Sequence, residues 1–160
     1  RRWQQRIEAI AVDYLRDIRL PDGSGDWLHV DYLVLTPRGL LLLDLRDVRG
    51  KVYGADPMVE WTVVQGAQRF TFVNPQAVMY DRLAALRALA GAVPVDGRIV
   101  FGTGAVFPKG LPRMTLREES LEAEFPLRDR AQAEQLVAAW RATWRELQTA
   151  LPPSEFGRRG

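Results

Sequence analysis

The sequence contains no cysteine and a single histidine, His29, and these two scarcities exclude several kinds of site. Without cysteine there is no structural disulfide, no thiolate zinc site and no cysteine nucleophile. One histidine excludes metal sites built on several imidazoles. Any catalysis must therefore depend on carboxylates together with arginine or lysine.

Long apolar runs are also missing, since none approaches the roughly 20 residues that span a bilayer. The N-terminal residues do not begin a signal peptide, so we expect a cytoplasmic protein that makes no membrane contact. The 160 residues are 47% apolar and 26% charged, which is typical of one globular domain. We expect that domain to cover residues 1–151, followed by a tail or linker over 152–160. Because the chain does not begin with Met, we also expect it to be a piece of a longer protein.

Lysine is scarce as well: of 22 basic residues, only Lys51 and Lys109 are lysines. The formal net charge is only +2, so the composition does not predict a strong non-specific field for polyanions. Arginine binds phosphate through two parallel hydrogen bonds, which lysine cannot do. The alternative interpretation is a chain-wide preference for arginine over lysine.

Two apolar runs flank a turn signal over residues 36–39, where the sequence reads Thr-Pro-Arg-Gly. Pro37 presets φ for the second turn position, and Gly39 tolerates the geometry at the exit. This pattern predicts a β-hairpin over about 27–48. We expect Leu35 and Leu40 to close it.

Counting outward from this closure places Leu33 opposite Leu42, and Asp31 opposite Asp44. Opposed Cβ atoms lie about 4.5–5.5 Å apart, and like charges there destabilise the pair. A divalent metal such as Mg²⁺ offsets that repulsion and keeps waters for exchange with a substrate. Side chains alternate along a strand, so one face is predicted to carry Asp31, Leu33, Leu35, Leu40, Leu42, Asp44 and Arg46.

Two alternatives stay open for this pair of acids. A bulge at Gly39 would shift the register by one residue and move the acids apart. Asp44 and Arg46 could also be an ordinary solvated ion pair on an edge strand.

Hydrophobic spacing and turn residues predict the remaining elements. Asn74 and Pro75 are a strong helix start, because Asn caps and the missing Pro N–H costs nothing there. Asp129 with Gln132 is a capping box for the last helix. The order predicts a mixed α/β sheet with helices against it. Predicted helices cover 3–19, 75–90 and 130–150, and predicted strands outside the hairpin cover 51–53, 59–64, 70–73, 98–107 and 121–124.

The hairpin and the residues after it resemble the NERD (nuclease-related) domain family, with a match from residue 8 to about 106. The family combines an Asp in an apolar strand, a Thr/Ser-Pro-Lys/Arg-Gly turn, and an apolar strand ending in Glu-x-Lys. A Gly-x-hydrophobic-x-Gly stretch, a Trp and a helix opened by Asn-Pro follow. Here these motifs are Asp31, residues 36–39, residues 40–46, residues 50–54, Trp61 and Asn74-Pro75, and Glu8 resembles the family's acid on the first helix.

This resemblance implies a restriction-endonuclease-like fold of the PD-(D/E)xK superfamily, with an α/β mixed sheet, an antiparallel hairpin core and flanking helices. It also implies Mg²⁺- or Mn²⁺-dependent cleavage of DNA phosphodiesters, and fusion to a helicase or another DNA-processing module. Carried over residue by residue, it assigns the metal to Asp31, Asp44 and the Leu45 carbonyl. Arg46 would then hold the phosphate or the water, and Glu8 would assist from the first helix.

Two departures from the family pattern lie at Asp44, which replaces Glu, and at Arg46, which replaces Lys. A buried lysine can lose its proton and help to activate water, whereas arginine cannot. The family's Gln after Asn-Pro is also displaced, because Val78 occupies its place and Gln76 lies earlier. A second hypothesis is therefore a catalytically degraded domain that binds DNA or a partner without cutting. A third is a protein-interaction domain that binds neither metal nor nucleic acid.

Overall fold

The computed structural model describes residues 2–154 and shows a mixed α/β fold with two β-sheets flanked by helices. Of the tail or linker expected over 152–160, residues 155–160 lie outside the described residues. The strands are β1 (Asp13–Pro21), β2 (Trp27–Thr36), β3 (Gly39–Arg46), β4 (Gly50–Tyr53), β5 (Glu60–Gln65), β6 (Gln68–Val73), β7 (Val95–Phe101), β8 (Ala105–Val106) and β9 (Thr115–Arg117). The helices are α1 (Arg2–Glu8), α2 (Gln76–Ala90), α3 (Leu121–Glu124), α4 (Arg130–Val137) and α5 (Arg141–Ala150), with 3₁₀ turns over Glu118–Ser120 and Ala138–Trp140.

The larger sheet has the strand order β1-β2-β3-β7-β9, and the smaller one has the order β6-β5-β4-β8. Strands β1, β2 and β3 are antiparallel, whereas β7 is parallel to β3 and β9 is parallel to β7. The chain returns from β3 to β7 through the smaller sheet and α2. Parallel strands end at the same edge, and ligands of α/β sheets bind at such edges. This arrangement agrees with a restriction-endonuclease-like fold.

The hairpin prediction is confirmed in its register. Leu35 pairs with Leu40 and Leu33 pairs with Leu42. Alternate side chains of the hairpin enter two separate hydrophobic clusters, because both faces of the larger sheet are covered. Leu33, Leu35, Leu40 and Leu42 pack with α2 residues on one face, and Val34, Leu41 and Leu43 pack with Ile7 and Phe125 on the other.

The predicted helix over 3–19 is wrong beyond its first two turns. Helix α1 ends at Glu8, and the second half of that stretch is β1, which pairs with β2 along nearly its whole length. Ile18 and Leu20 are buried and Arg19 between them is only half-buried, which is the two-residue period of a strand. Pairing with β2 outweighed a hydrophobic spacing that a helix could also satisfy.

Smaller corrections concern the C-terminal half. Residues 121–124 form the short helix α3, and the strand predicted there lies earlier, at β9. The strand predicted over 98–107 breaks after Phe101 into β7 and β8. The helix predicted over 130–150 is divided into α4 and α5 by a 3₁₀ turn.

Both predicted helix caps form hydrogen bonds. The Gln76 N–H donates to Asn74 Oδ1 at 2.8 Å, and Asp129 Oδ1 accepts from the N–H groups of Ala131 and Gln132. The positions of these helix starts therefore follow from the sequence. Among residues 2–154, we find no helix of the length and apolarity that a bilayer crossing requires.

Candidate functional site

Three side chains converge beside the outer half of β2: Asp17, His29 and Asp31. One ligand atom from each lies within 4.8 Å of the other two, and all three residues are half-buried. His29 Nε2 lies 2.8 Å from Asp31 Oδ1. Two carboxylates and an imidazole are a donor set that suits a divalent metal. We call these three residues the acidic cluster.

Asp17 reaches the cluster because β1 is distorted at that point. The ladder between β1 and β2 pairs Arg16 with Tyr32 and Ile18 with Val30, and it skips the pair between them, Asp17 and Asp31. Asp17 has a φ of 52°, in the left-handed region that few non-glycine residues adopt. The skipped pair is the one in which two acids would face each other.

Asp44 lies on the neighbouring strand, where its buried carboxylate is held by two arginines. Arg46 donates from Nε to Oδ1 and from Nη2 to Oδ2, both at 3.0 Å, in a bidentate pair. Arg82 Nη1, from α2, lies 3.5 Å from Oδ2. Only 6% of Asp44 is exposed, and a carboxylate so buried needs such partners. The three groups together carry a net charge of +1.

Asp31 and Asp44 occupy the positions directly beyond the last ladder pair of β2 and β3, but they do not themselves form a ladder pair. The β2–β3 ladder ends at Tyr32 and Leu43. Beyond that pair, the main-chain N–H of Leu45 donates to Asp31 Oδ2 at 2.8 Å. The repulsion between the acids is therefore already reduced by the protein's own groups: an N–H and His29 at one carboxylate, and two arginines at the other.

Arg82 connects the two parts of the site. Its Nε donates to the main-chain oxygen of His29 at 2.8 Å, while its Nη1 faces Asp44. The side chain is only 15% exposed, so it is fixed between α2 and the ends of β2 and β3. Arg46 is more exposed, at 29%, and its guanidinium lies over the Phe72 ring with 5.7 Å to the centroid.

Tyr32, next to Asp31, is the titratable group of this region with a shifted pKa. Burial raises the pKa of the phenol above its usual value of about 10, Arg16 opposes the shift, and the carboxylates of Asp17 and Asp31 reinforce it. The hydroxyl therefore stays protonated across the physiological range.

Glu8, the last residue of α1, forms hydrogen bonds with α1 and β1. Its Oε1 accepts hydrogen bonds from Gln4 Nε2 at 2.9 Å and from the Tyr14 hydroxyl at 3.1 Å. Tyr14 pairs with Val34, three positions from Asp31 towards the hairpin turn. Neither of these two hydrogen-bond partners of Glu8 belongs to the acidic cluster or to the group around Asp44.

Two other sequence features also lie elsewhere. Gln76 is buried at the start of α2, where its amide donates to Asp56 Oδ1 and to the main-chain oxygen of Arg113. Lys51 lies on β4, in the smaller sheet, between Val64 and Val106 of its neighbours. Neither the hydrogen bonds of the Gln76 side chain nor the strand pairing of Lys51 involves a residue of the acidic cluster.

Sequence reasoning missed three residues of this site. His29 had a usable signal, because residues two apart on a strand share a face and His29 lies two before Asp31. Asp17 was hidden by the incorrect helix over 3–19. Arg82 had none, because the packing of α2 against the hairpin is a long-range contact.

One of the three comparisons with known proteins found a match. A family model described as the nuclease-related domain (NERD) matches residues 4–102, from within α1 through the hairpin, β4 to β6 and α2 to just past the end of β7. No curated protein and no solved structure matches the chain.

Proposed function

Because the chain belongs to the nuclease-related domain (NERD) family, we propose that it is a divalent-metal-dependent deoxyribonuclease domain that hydrolyses DNA phosphodiesters. The observation that carries the proposal is the acidic cluster, whose ligand atoms lie within 4.8 Å of one another beside the arginine-bound Asp44. A metal bound at the acidic cluster and the arginines on Asp44 would together supply the positive charge that stabilises phosphodiester hydrolysis.

Asp31 is the central ligand of the proposed metal, with Asp17 and His29 completing the set. A bound Mg²⁺ or Mn²⁺ would supply a water of lowered pKa and positive charge for the scissile phosphate. The imidazole favours Mn²⁺ over Mg²⁺, because Mg²⁺ prefers oxygen ligands. Asp44 and the Leu45 carbonyl remain proposed ligands, and the donors from Arg46 and Arg82 leave about one of the four acceptor positions of the Asp44 carboxylate for a metal.

Arg46 is proposed to bind the phosphate. Its guanidinium cannot serve as a base, because arginine stays protonated in proteins, but its fork of donors fits two phosphate oxygens. It is the more exposed of the two arginines on Asp44, whereas Arg82 is held by His29 as well. Arg82 therefore keeps Asp44 neutralised when Arg46 turns to a phosphate.

A second candidate function is a domain that binds DNA without cutting it. The observation that favours it is the bidentate pair, since Arg46 engages both oxygens of Asp44. The family lysine is replaced by Arg46, and the two lysines of the chain are Lys51, on β4 of the smaller sheet, and Lys109. A fused helicase or other DNA-processing module remains a prediction in both cases.

The deciding experiment measures cleavage of single-stranded and duplex DNA with Mg²⁺, Mn²⁺ or a chelator, together with Mn²⁺ binding by calorimetry. The variants are Asp31→Asn, Asp44→Ala and Arg46→Lys, and the matched control is Asp81→Asn, an exposed acid on α2. Metal-dependent cutting that Asp31→Asn abolishes and Asp81→Asn preserves is the expected result. Glu8→Gln tests the remaining assignment from the first helix.

The other outcomes separate the alternatives. Mn²⁺ and DNA binding without cutting, with activity gained in Arg46→Lys, would establish the non-cutting domain. Failure of the native chain to bind either Mn²⁺ or DNA at low salt, where phosphate contacts are strongest, would leave the interaction-domain hypothesis.

A further inference from the structure

The last described residues of the chain, Pro152 to Ser154, lie along the outer edge of β1. The Arg19 N–H donates to the Pro152 oxygen at 3.0 Å, and Pro153 forms a bridge with Ile18. The Ser154 N–H then donates to the main-chain oxygen of Asp17 at 2.6 Å. This segment therefore reaches the acidic cluster through the backbone of one of its members.

Ser154 also reaches the cluster through its side chain. Its Oγ lies 2.6 Å from His29 Nδ1, and the residue is only 1% exposed. The other ring nitrogen, Nε2, lies 2.8 Å from Asp31 Oδ1. The imidazole is thus held at both nitrogens, with the serine on one side and the carboxylate on the other.

Contacts at both nitrogens determine which nitrogen faces the acids and which neutral tautomer forms. An ionised carboxylate only accepts hydrogen bonds, so Nε2 of the neutral ring carries the proton towards Asp31. Nδ1 then accepts from the Ser154 hydroxyl. A hydroxyl can also accept, so the same serine can support the ring when Nε2 binds another group. Metal-binding histidines characteristically have such a partner on their second nitrogen.

We propose that Ser154 is a positioning residue that fixes the orientation and tautomer of His29, so that residues 152–154 are part of the site. The role of Ser154 in metal binding rests on the proposed function, whereas its effect on the His29 ring does not, because the ring can be observed without metal.

The experiment uses ¹⁵N-labelled histidine and NMR at about pH 8, where an ordinary imidazole is neutral. His29 is the only histidine, so its ring signals need no assignment. The variants are Ser154→Ala, Ser154→Thr, which keeps the hydroxyl, and Ser120→Ala, an exposed control. Melting temperatures of all four proteins verify that each variant is folded.

The native chain and Ser120→Ala are expected to show one dominant tautomer with the proton on Nε2. Ser154→Ala should shift the ring ¹⁵N signals towards a mixture of tautomers, and Ser154→Thr should restore the native pattern. In a parallel titration, Ser154→Ala should bind Mn²⁺ roughly 10- to 100-fold more weakly than the native chain.

Ring signals of Ser154→Ala that match the native signals would overturn the inference whatever the metal result. If the ring signals change as expected but the native chain binds no Mn²⁺, the inference holds and the metal centre of the proposed function fails. The two failures are therefore distinguishable.

Discussion

Arg82 on α2 pairs with Asp44 on β3 at 3.5 Å, and the same guanidinium donates to the main-chain oxygen of His29 at 2.8 Å. One side chain thus connects a helix to the ends of two strands. Asp44 needs this contact because its carboxylate is almost fully buried.

Replacing Arg82 with Gln should lower the free energy of unfolding by about 1–3 kcal/mol, since hydrogen bonds to a charged group and to the half-buried carbonyl of His29 are lost. Urea denaturation measures the change. Arg87→Gln, an exposed arginine one turn later on α2, is the control and should change stability by less than about 0.5 kcal/mol. Equal effects in both variants would contradict the linking role.

The proposed metal centre predicts stabilisation by Mn²⁺. At a concentration about 100-fold above its Kd, Mn²⁺ should raise the free energy of unfolding by about 2.7 kcal/mol, because it binds only the folded state. Asp31→Asn should abolish this gain and Asp81→Asn should retain it. Thermal melts with Mn²⁺ and with chelator provide the measurement, and an equal gain in Asp31→Asn would place the ion elsewhere.

The proposed phosphate contact of Arg46 predicts a change in the salt dependence of DNA binding. Removing one phosphate contact lowers the slope of log K against log salt by roughly 0.7–0.9. Arg46→Gln should show this decrease in fluorescence anisotropy titrations, and Arg145→Gln on the exposed side of α5 should not. Identical slopes for Arg46→Gln and the native chain would exclude the contact.

The hairpin turn depends on a glycine at residue 39. Gly39 has a φ of 122°, and a Cβ added there would collide with the Pro94 oxygen. Gly66 also has a positive φ, of 62°, but a Cβ there meets no atom within 4 Å. Gly39→Ala should therefore be destabilised by more than the roughly 1 kcal/mol expected for Gly66→Ala. Chemical denaturation of both variants compares them, and equal losses would show that the collision is relieved.

The raised pKa of Tyr32 predicts that the free energy of unfolding falls at high pH. Burial raises the pKa of its phenol in the folded state, so the folded chain holds the proton more tightly than the unfolded chain. This contribution is fully present below the unfolded pKa of about 10 and is lost as the pH rises through the folded pKa. In Tyr32→Phe, the free energy of unfolding should fall less steeply above about pH 10 than in the native chain, with Tyr80→Phe as an exposed control. The same slope in all three proteins would argue against the shift.

The hairpin shows how much of the fold could be predicted from the sequence. The turn over 36–39 predicted the register by counting outward from Leu35 and Leu40, because turn chemistry and the two-residue period of a strand are local properties. The Asn74 and Asp129 caps are local for the same reason. The helix over 3–19 failed because its spacing is compatible with two structures, and only pairing with β2 distinguishes them.

By itself, the sequence determined that Asp31 and Asp44 lie near each other at the end of one hairpin. Only the tertiary structure decided which groups reach these acids, because the partners are distant along the chain. Arg82 is 38 residues from Asp44, and Ser154 is 125 residues from His29. Such contacts depend on how α2 and the C-terminal segment pack against the sheet, and side-chain patterns within single elements do not encode that packing.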